Sequence, residues 1–237
     1  MSILSKFDRL HREVKQNRWH RYFAIFIRVG LAWGFLPSGF TKVIGERFTS
    51  LSIKHPMGNY LEALSYTGYY YTFIGIAQMT AAVLLLIPRT ATLGAMLYFP
   101  IILNICILSL AVGFEGSLVT SPLMVFANLY LLCWDYDKLK HVLPIRGEVQ
   151  NDVPHKAANS TKFPIRFFTA VGITVVVVVL TLRSVYTIMP RNTISDCNLQ
   201  CEDGADAQVC EDFCDCIHLE GKTFDYCSDQ YKRKIKE

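Results

Sequence analysis

Six of the chain's eight cysteines fall between Cys197 and Cys227, in the order Cys197-x3-Cys201-x8-Cys210-x3-Cys214, then Cys216 and Cys227. Thiols this dense can cross-link a small fold, exchange electrons or hold a metal. Cysteines four apart share one helix face, and Gly204 lies between the two pairs, where a turn fits. Folding two short helices back on each other pairs Cys197 with Cys214 and Cys201 with Cys210, which leaves Cys216 for Cys227. Many other connectivities are open to six cysteines, so this one is a preference from helix geometry. A segment of about 45 residues has too little core to fold alone, and bridges supply the missing constraint. Redox exchange is the alternative, but no C-x-x-C is present, and Cys214-Asp215-Cys216 is the only candidate for a labile pair. His218 is close enough in sequence to suggest a metal, yet thiols outside the cytosol are usually oxidised, and no metal site is expected. Cys106 and Cys133 lie in apolar runs and read as buried, inert residues.

A second set of chemically capable residues sits inside apolar sequence. Arg28 lies about two turns into the first apolar run, where burying a cation costs about 2.5–3.5 kcal/mol on insertion scales. Lys42 follows fourteen residues later, close to four whole turns, so the two cations share a helix face with Phe35 and Gly39. Gln78, Asn104 and Asn128 sit near the middle of the next three runs. One reading makes these groups polar glue between helices. The other assembles Arg28, Gln78 and Asn104 into a pocket for a quinone head group or an anion, with Lys42 and Asn128 as further candidates. No acidic residue lies deep in any run, which argues against a carboxylate proton relay and leaves Arg28 without an obvious ion-pair partner. Gly30-x3-Gly34 would allow close helix contact, Pro37 would kink the first helix, and Pro100 would free the carbonyl of Met96.

The elements that position these groups are membrane helices. Of 237 residues 51% are hydrophobic and 19% charged, and between Tyr69 and Trp134 the only charges are Arg89 and Glu115. A hydrocarbon layer about 30 Å thick needs about 20 apolar residues per helix. Runs at 22–40, 70–87, 91–114, 118–134 and 163–189 meet that need, and the absence of period-two alternation selects helices over a barrel. The expected fold is therefore an all-α membrane protein: a four-helix transmembrane bundle, a fifth transmembrane helix, and a small disulfide-stapled helical tail outside the cytoplasm. Residues 1–21 form a basic arm, 141–162 a linker and 190–237 the tail. Leu4, Phe7, Leu10 and Val14 recur at helical spacing, so the arm reads either as a membrane-surface helix or as a solvated segment. It carries no cleavable signal peptide.

Lys and Arg counts orient the chain. With the N-terminus inside, cytoplasmic segments hold twelve basic residues: six in 1–21, Arg89, and five in 135–162. The outer loops hold Lys42, Arg47 and Lys54. Five spans then place the C-terminus outside the cytoplasm, across a bacterial inner membrane. The tail agrees, since disulfides persist there and ten Asp or Glu lie between Asp196 and Asp229.

The segment from Arg28 to Lys42, RVGLAWGFLPSGFTK, resembles the first-span signature of the DoxX-like membrane proteins. Gly75-x2-Gln78 followed by LLLIPR at Leu84–Arg89 and Gly94 is similar to their second span. The likeness covers about residues 22–140. It implies a four-helix membrane bundle, a polar residue at the position of Gln78, and a link to membrane redox systems such as quinone-reducing sulfur oxidation and thiol-stress complexes. The fifth span and the cysteine tail depart from that pattern.

Three functions compete. The first is an accessory membrane protein whose tail binds a protein partner outside the cytoplasm. The second is a redox component passing electrons between a bound quinone and the tail cysteines. The third is a small-molecule or anion transporter with Arg28 and Lys42 bracketing the path, against which stands the lack of a repeated half. No catalytic constellation, P-loop, dinucleotide fingerprint or serine-triad signature is present, so enzymatic activity is left open and nucleic-acid binding is not expected.

Overall fold

In lipid every backbone amide must find its partner within its own segment, and the chain folds accordingly into helices. The computed structural model describes residues 11, 13–49, 51–142, 160–186, 188–201 and 206–235. Among them the helices are α1 Arg18–Val43, α2 Pro56–Ser65, α3 Tyr69–Leu86, α4 Ala91–Ala111, α5 Glu115–Leu118, α6 Thr120–Trp134, α7 Tyr136–Val142, α8 Ile165–Val185, α9 Ile194–Leu199, α10 Ala207–His218 and α11 Phe224–Lys234. Five are long and apolar enough to cross a membrane: α1, α3, α4, α5 joined to α6, and α8. The chain is a multi-pass membrane protein by that pattern. The expected amphipathic face of the arm at Leu4–Leu10 and most of the 141–162 linker lie outside the described residues.

Helices α1, α3, α4 and α6 close into a four-helix bundle, each packed on the next and α6 back on α1. The core is Ala24, Ile27, Leu31, Ala32 and Phe35 of α1, Ala81, Ala82 and Leu85 of α3, Ala95, Tyr98 and Ile102 of α4, and Leu131 of α6. Phe35 stacks on Tyr98 with centroids 3.6 Å apart, and the Tyr98 hydroxyl donates to the Leu31 carbonyl at 3.2 Å. Without water to expel, packing and close approach hold such helices together. Helices α1 and α3 approach closely at Gly39 and Gly75: a Cβ on either would lie 2.8 or 2.7 Å from the carbonyl oxygen of the other. Of the small-residue pair, a Cβ on Gly30 meets nothing, while one on Gly34 would lie 2.6 Å from Met124 Cε, so α6 packs close at Gly34 and not at Gly30.

Helix α8 carries charge only at Arg166 and Arg183, near its two ends, and buries no residue. It touches the bundle at its two ends. Phe167 and Phe168 pack on Phe23, and Phe167 also packs on His20 and Tyr130. Tyr186 donates its hydroxyl to the Leu110 carbonyl at 2.5 Å. The helix stops at Val185, four residues before the expected Met189, where the chain turns to place Tyr186 on the end of α4.

The tail is a three-helix module around one core of Cys197, Cys201, Cys210, Phe213, Cys214, Cys216, Ile217, Phe224 and Cys227, with Ile188 beneath it. Disulfides join Cys197 to Cys214, Cys201 to Cys210 and Cys216 to Cys227, the set that two back-folded helices predict. Of the other cysteines Cys106 is buried, but Cys133 is exposed on the outer surface of α6, against the expectation that both are buried.

Candidate functional site

The polar residues of the membrane helices do not converge. Arg28 and Lys42 share a face of α1 but stand about 21 Å apart along it at 1.5 Å per residue. Each forms its own cluster at an opposite end of the bundle.

Arg28 has a partner after all. Its Nη2 lies 3.5 Å from Asp135 Oδ2, and Asp135 is only 8% exposed. Thr92 donates to the same carboxylate oxygen at 2.8 Å, and Lys138 stands 3.5 Å from its other oxygen. In the sequence Asp135 opens the polar stretch that follows the fourth span. It directly follows Trp134, the last residue of α6. Four alternating spans make α6 antiparallel to α1, so its end meets the start of α1. That alternation was the signal available in the sequence. The cluster ties α1, α4, α6 and α7 together, and the buried Arg28 Nε has no partner.

Lys42 closes the other end. It is 6% exposed, donates to the Ser38 carbonyl at 2.9 Å and to the Ser38 hydroxyl at 2.7 Å, and rests its ammonium 4.5 Å from the Phe48 ring centroid. The Ser38 hydroxyl in turn lies 3.4 Å from Gln78 Oε1. The Gly39–Gly75 crossing lies one residue from Ser38 and three from Gln78, and it sets α1 and α3 close enough for this chain of contacts. Among the described residues Lys42 makes no ion pair with a carboxylate.

Asn128 is fully buried, donates to the Ala95 carbonyl at 3.0 Å, and leaves its own carbonyl oxygen without a partner. It joins α6 to α4 and meets neither cation. Asn104 is exposed on the outside of α4, so it lines no pocket with Arg28 and Gln78. The sequence places it mid-helix but not on which face, since a helix that is apolar all round has no polar stripe to mark one.

Residues beyond the spans, which the sequence singled out only as cysteines, build a cap over the Lys42 end. The segment after α1 leads into α2, and Leu51 of that segment with Met57 and Leu61 of α2 packs against Leu108, Val112 and Phe114. The tail sits beside it. His218 bonds through Nε2 to the Pro190 carbonyl at 2.5 Å, and its ring lies 5.6 Å from that of His55. His55 is the N-cap of α2: its Nδ1 accepts from the Met57 amide at 3.1 Å, while its buried Nε2 has no partner among the described residues. Burial, and secondarily His218, push the His55 pKa down to about 4. Arg191 pairs with Glu115, and Phe224 lies flat over Gly113, whose φ of 62° and lack of a side chain admit the ring. All six bridged cysteines are buried in the tail core. Their neighbours Glu211, Asp215, Glu220, Asp225 and Asp229 face outward.

No family model and no solved structure matches the chain. A curated relative, an uncharacterized protein named YwoB from Bacillus subtilis (strain 168), is 34% identical over 135 residues, which cover 54% of this chain and 84% of the relative. With that identity over most of the relative's length, the chain belongs to the same family as YwoB.

Proposed function

We propose that this chain is an accessory protein of a bacterial inner membrane, in which a DoxX-like bundle anchors and seats a disulfide-stapled tail that binds a protein partner outside the cytoplasm. The observation that carries this reading is the build of the tail: all six bridged cysteines are buried in its core, while Glu211, Asp215, Glu220, Asp225 and Asp229 are exposed. Bridges placed there constrain a fold too small to hold itself together. A bridge that exchanges electrons needs a sulfur that an attacking thiolate can reach.

Thiol trapping of the purified protein across a series of redox buffers, with the bridges assigned by mass spectrometry, tests the structural role. Six cysteines that remain bridged down to strongly reducing potentials support it. Exchange of one pair near physiological potentials, above all one involving Cys214 or Cys216, transfers the weight to the redox reading. Photo-crosslinkers placed at Glu211 and Asp215 in native membranes test the partner. One discrete protein adduct is expected, and adducts to lipid alone defeat the reading.

One observation favours a second reading, a membrane redox component. The buried Lys42 ammonium, with Ser38 and Gln78 beside it, lacks a carboxylate partner among the described residues. The carbonyl of a quinone head group would accept from it. Quinone binding that survives Lys42→Met eliminates that site.

A further inference from the structure

Between the tail and the outer ends of the membrane helices lies a cavity of about 230 Å³. Its floor is apolar, made by Leu110 at the end of α4, Val185 at the end of α8 and Phe224 of the tail. Its rim is one face of α11, on which Asp225, Ser228, Asp229 and Lys232 recur at three- and four-residue spacing. A floor built from the ends of two membrane helices sets the cavity at the boundary between hydrocarbon and head groups.

The rim is unsatisfied. Ser228 is 7% exposed, lines the cavity, and makes no hydrogen bond among the described residues. Its hydroxyl opens on the cavity, where a bound group can take its hydrogen bond. Asp225, Asp229 and Lys232 likewise have no ion pair among the described residues; the one pair within the tail is Lys234 with Asp212. Asp225 stands near Tyr186, another lining residue, whose hydroxyl is already given to the Leu110 carbonyl.

We propose that this seam binds the head group of an amine-bearing zwitterionic phospholipid, a phosphatidylethanolamine. The ammonium lies between Asp225 and Asp229. Lys232 and the Ser228 hydroxyl take the phosphate oxygens, and the glycerol and acyl chains leave over Leu110 and Val185 along the uncovered flank of α8. Charge selects this occupant. Two carboxylates and one ammonium give the rim a net charge of minus one, which repels an anionic head group and complements one that carries both signs. Size agrees, because whole-ligand pockets usually run to about 300–1,000 Å³, and a smaller cavity open to the bilayer suits a head group whose tails remain in lipid.

The full chain in nanodiscs of phosphatidylcholine, with phosphatidylethanolamine or phosphatidylglycerol mixed in, provides the test. Lipid retained through gentle detergent release is counted by native mass spectrometry. Wild type is expected to retain phosphatidylethanolamine over either other lipid by about tenfold, the ratio that one charge-assisted hydrogen bond supplies. Asp225→Asn with Asp229→Asn removes the preference, and Glu220→Gln, after α10 and outside the cavity lining, leaves it intact. Ser228→Ala weakens retention without changing the preference. Intact disulfides in each variant, read from the same spectra, establish that the tail has folded. Equal retention of the three lipids, preference for phosphatidylglycerol, or a preference that survives the double Asp→Asn change overturns the proposal. So does displacement of the lipid by an equal concentration of soluble glycerophosphoethanolamine, which would make the ligand a free head group instead of a membrane lipid.

Discussion

Acidification loosens the tail from the bundle, and His55 is the group responsible. The proton follows from hydrogen bonding: Nδ1 accepts from the Met57 amide, so neutral His55 carries its hydrogen on Nε2. Adding a second proton at Nδ1 places N–H against N–H, breaks the cap of α2, and sets a buried cation against the His218 ring 5.6 Å away. The carboxylates of α2 and α5 are engaged elsewhere, Glu62 with Arg47 at 2.9 Å and Glu115 with Arg191, while Lys54 next in sequence adds a like charge. The covered ring therefore titrates near 4, against an ordinary 6.5 when uncovered. The uncovered state binds the proton more tightly, so docking is at full strength above about pH 6.5 and is lost as pH falls through 4. Between pH 7 and pH 4 the difference integrates to about 3 kcal/mol, on the order of a hundredfold in the docking equilibrium. Hydrogen exchange of α2, α10 and α11 in nanodiscs, corrected for intrinsic rates, reads that change. His55→Asn is the control, because Asn keeps an N-cap acceptor and cannot titrate. If wild type and His55→Asn lose protection in parallel on acidification, the carboxylate pairs set the response and the assignment to His55 fails.

Three further outcomes follow from the packing. Gly75→Ala puts a Cβ 2.7 Å from the Gly39 carbonyl and should lower bundle stability by about 1–3 kcal/mol, while Gly30→Ala, which meets nothing, should be close to neutral; denaturation in mixed micelles compares them. Asp135→Leu leaves Arg28 buried without its carboxylate and should cost about 3 kcal/mol, and Arg28→Leu combined with Asp135→Leu should recover most of it. Equal stability of the single and double variants in the same micelles would show that the pair is not a unit. Deleting residues 195–237 should leave the bundle inserted yet abolish the function proposed for the tail, and full activity of the shortened protein in its native membrane defeats that proposal.

Much of this architecture was legible because lipid imposes a strong rule on composition. Five apolar runs gave five spans, and the four-residue cysteine spacing gave three bridges. What was not legible is the direction each polar residue faces. In α1 the spacing of Arg28 and Lys42 put both on one stripe correctly, yet proximity along a stripe is not proximity in space, and each pairs with what lies level with it. In α4, apolar all round, nothing in the sequence distinguishes the face of Asn104 from that of the buried Ala95 and Tyr98. His55 was missed for a different reason. It lies in a polar connection with no pattern, and its chemistry comes entirely from the burial supplied by α2 and the tail.

The placement of α8 explains why the cap contacts matter. A helix with no residue buried against the bundle fixes how deep in the membrane the tail begins, but not how the tail is turned. That turn is set by a few contacts at the outer end: His55 with His218, Arg191 with Glu115, Phe224 over Gly113, and Tyr186 on Leu110. The disulfides stiffen the tail internally without fastening it to the bundle, since each joins two tail residues. A rigid module on a loosely packed tether therefore moves as one body when those contacts weaken. The lipid seam and the His55 contact lie on that same boundary, so head-group binding and proton binding should each shift the seat of the tail while leaving its three-helix core unchanged.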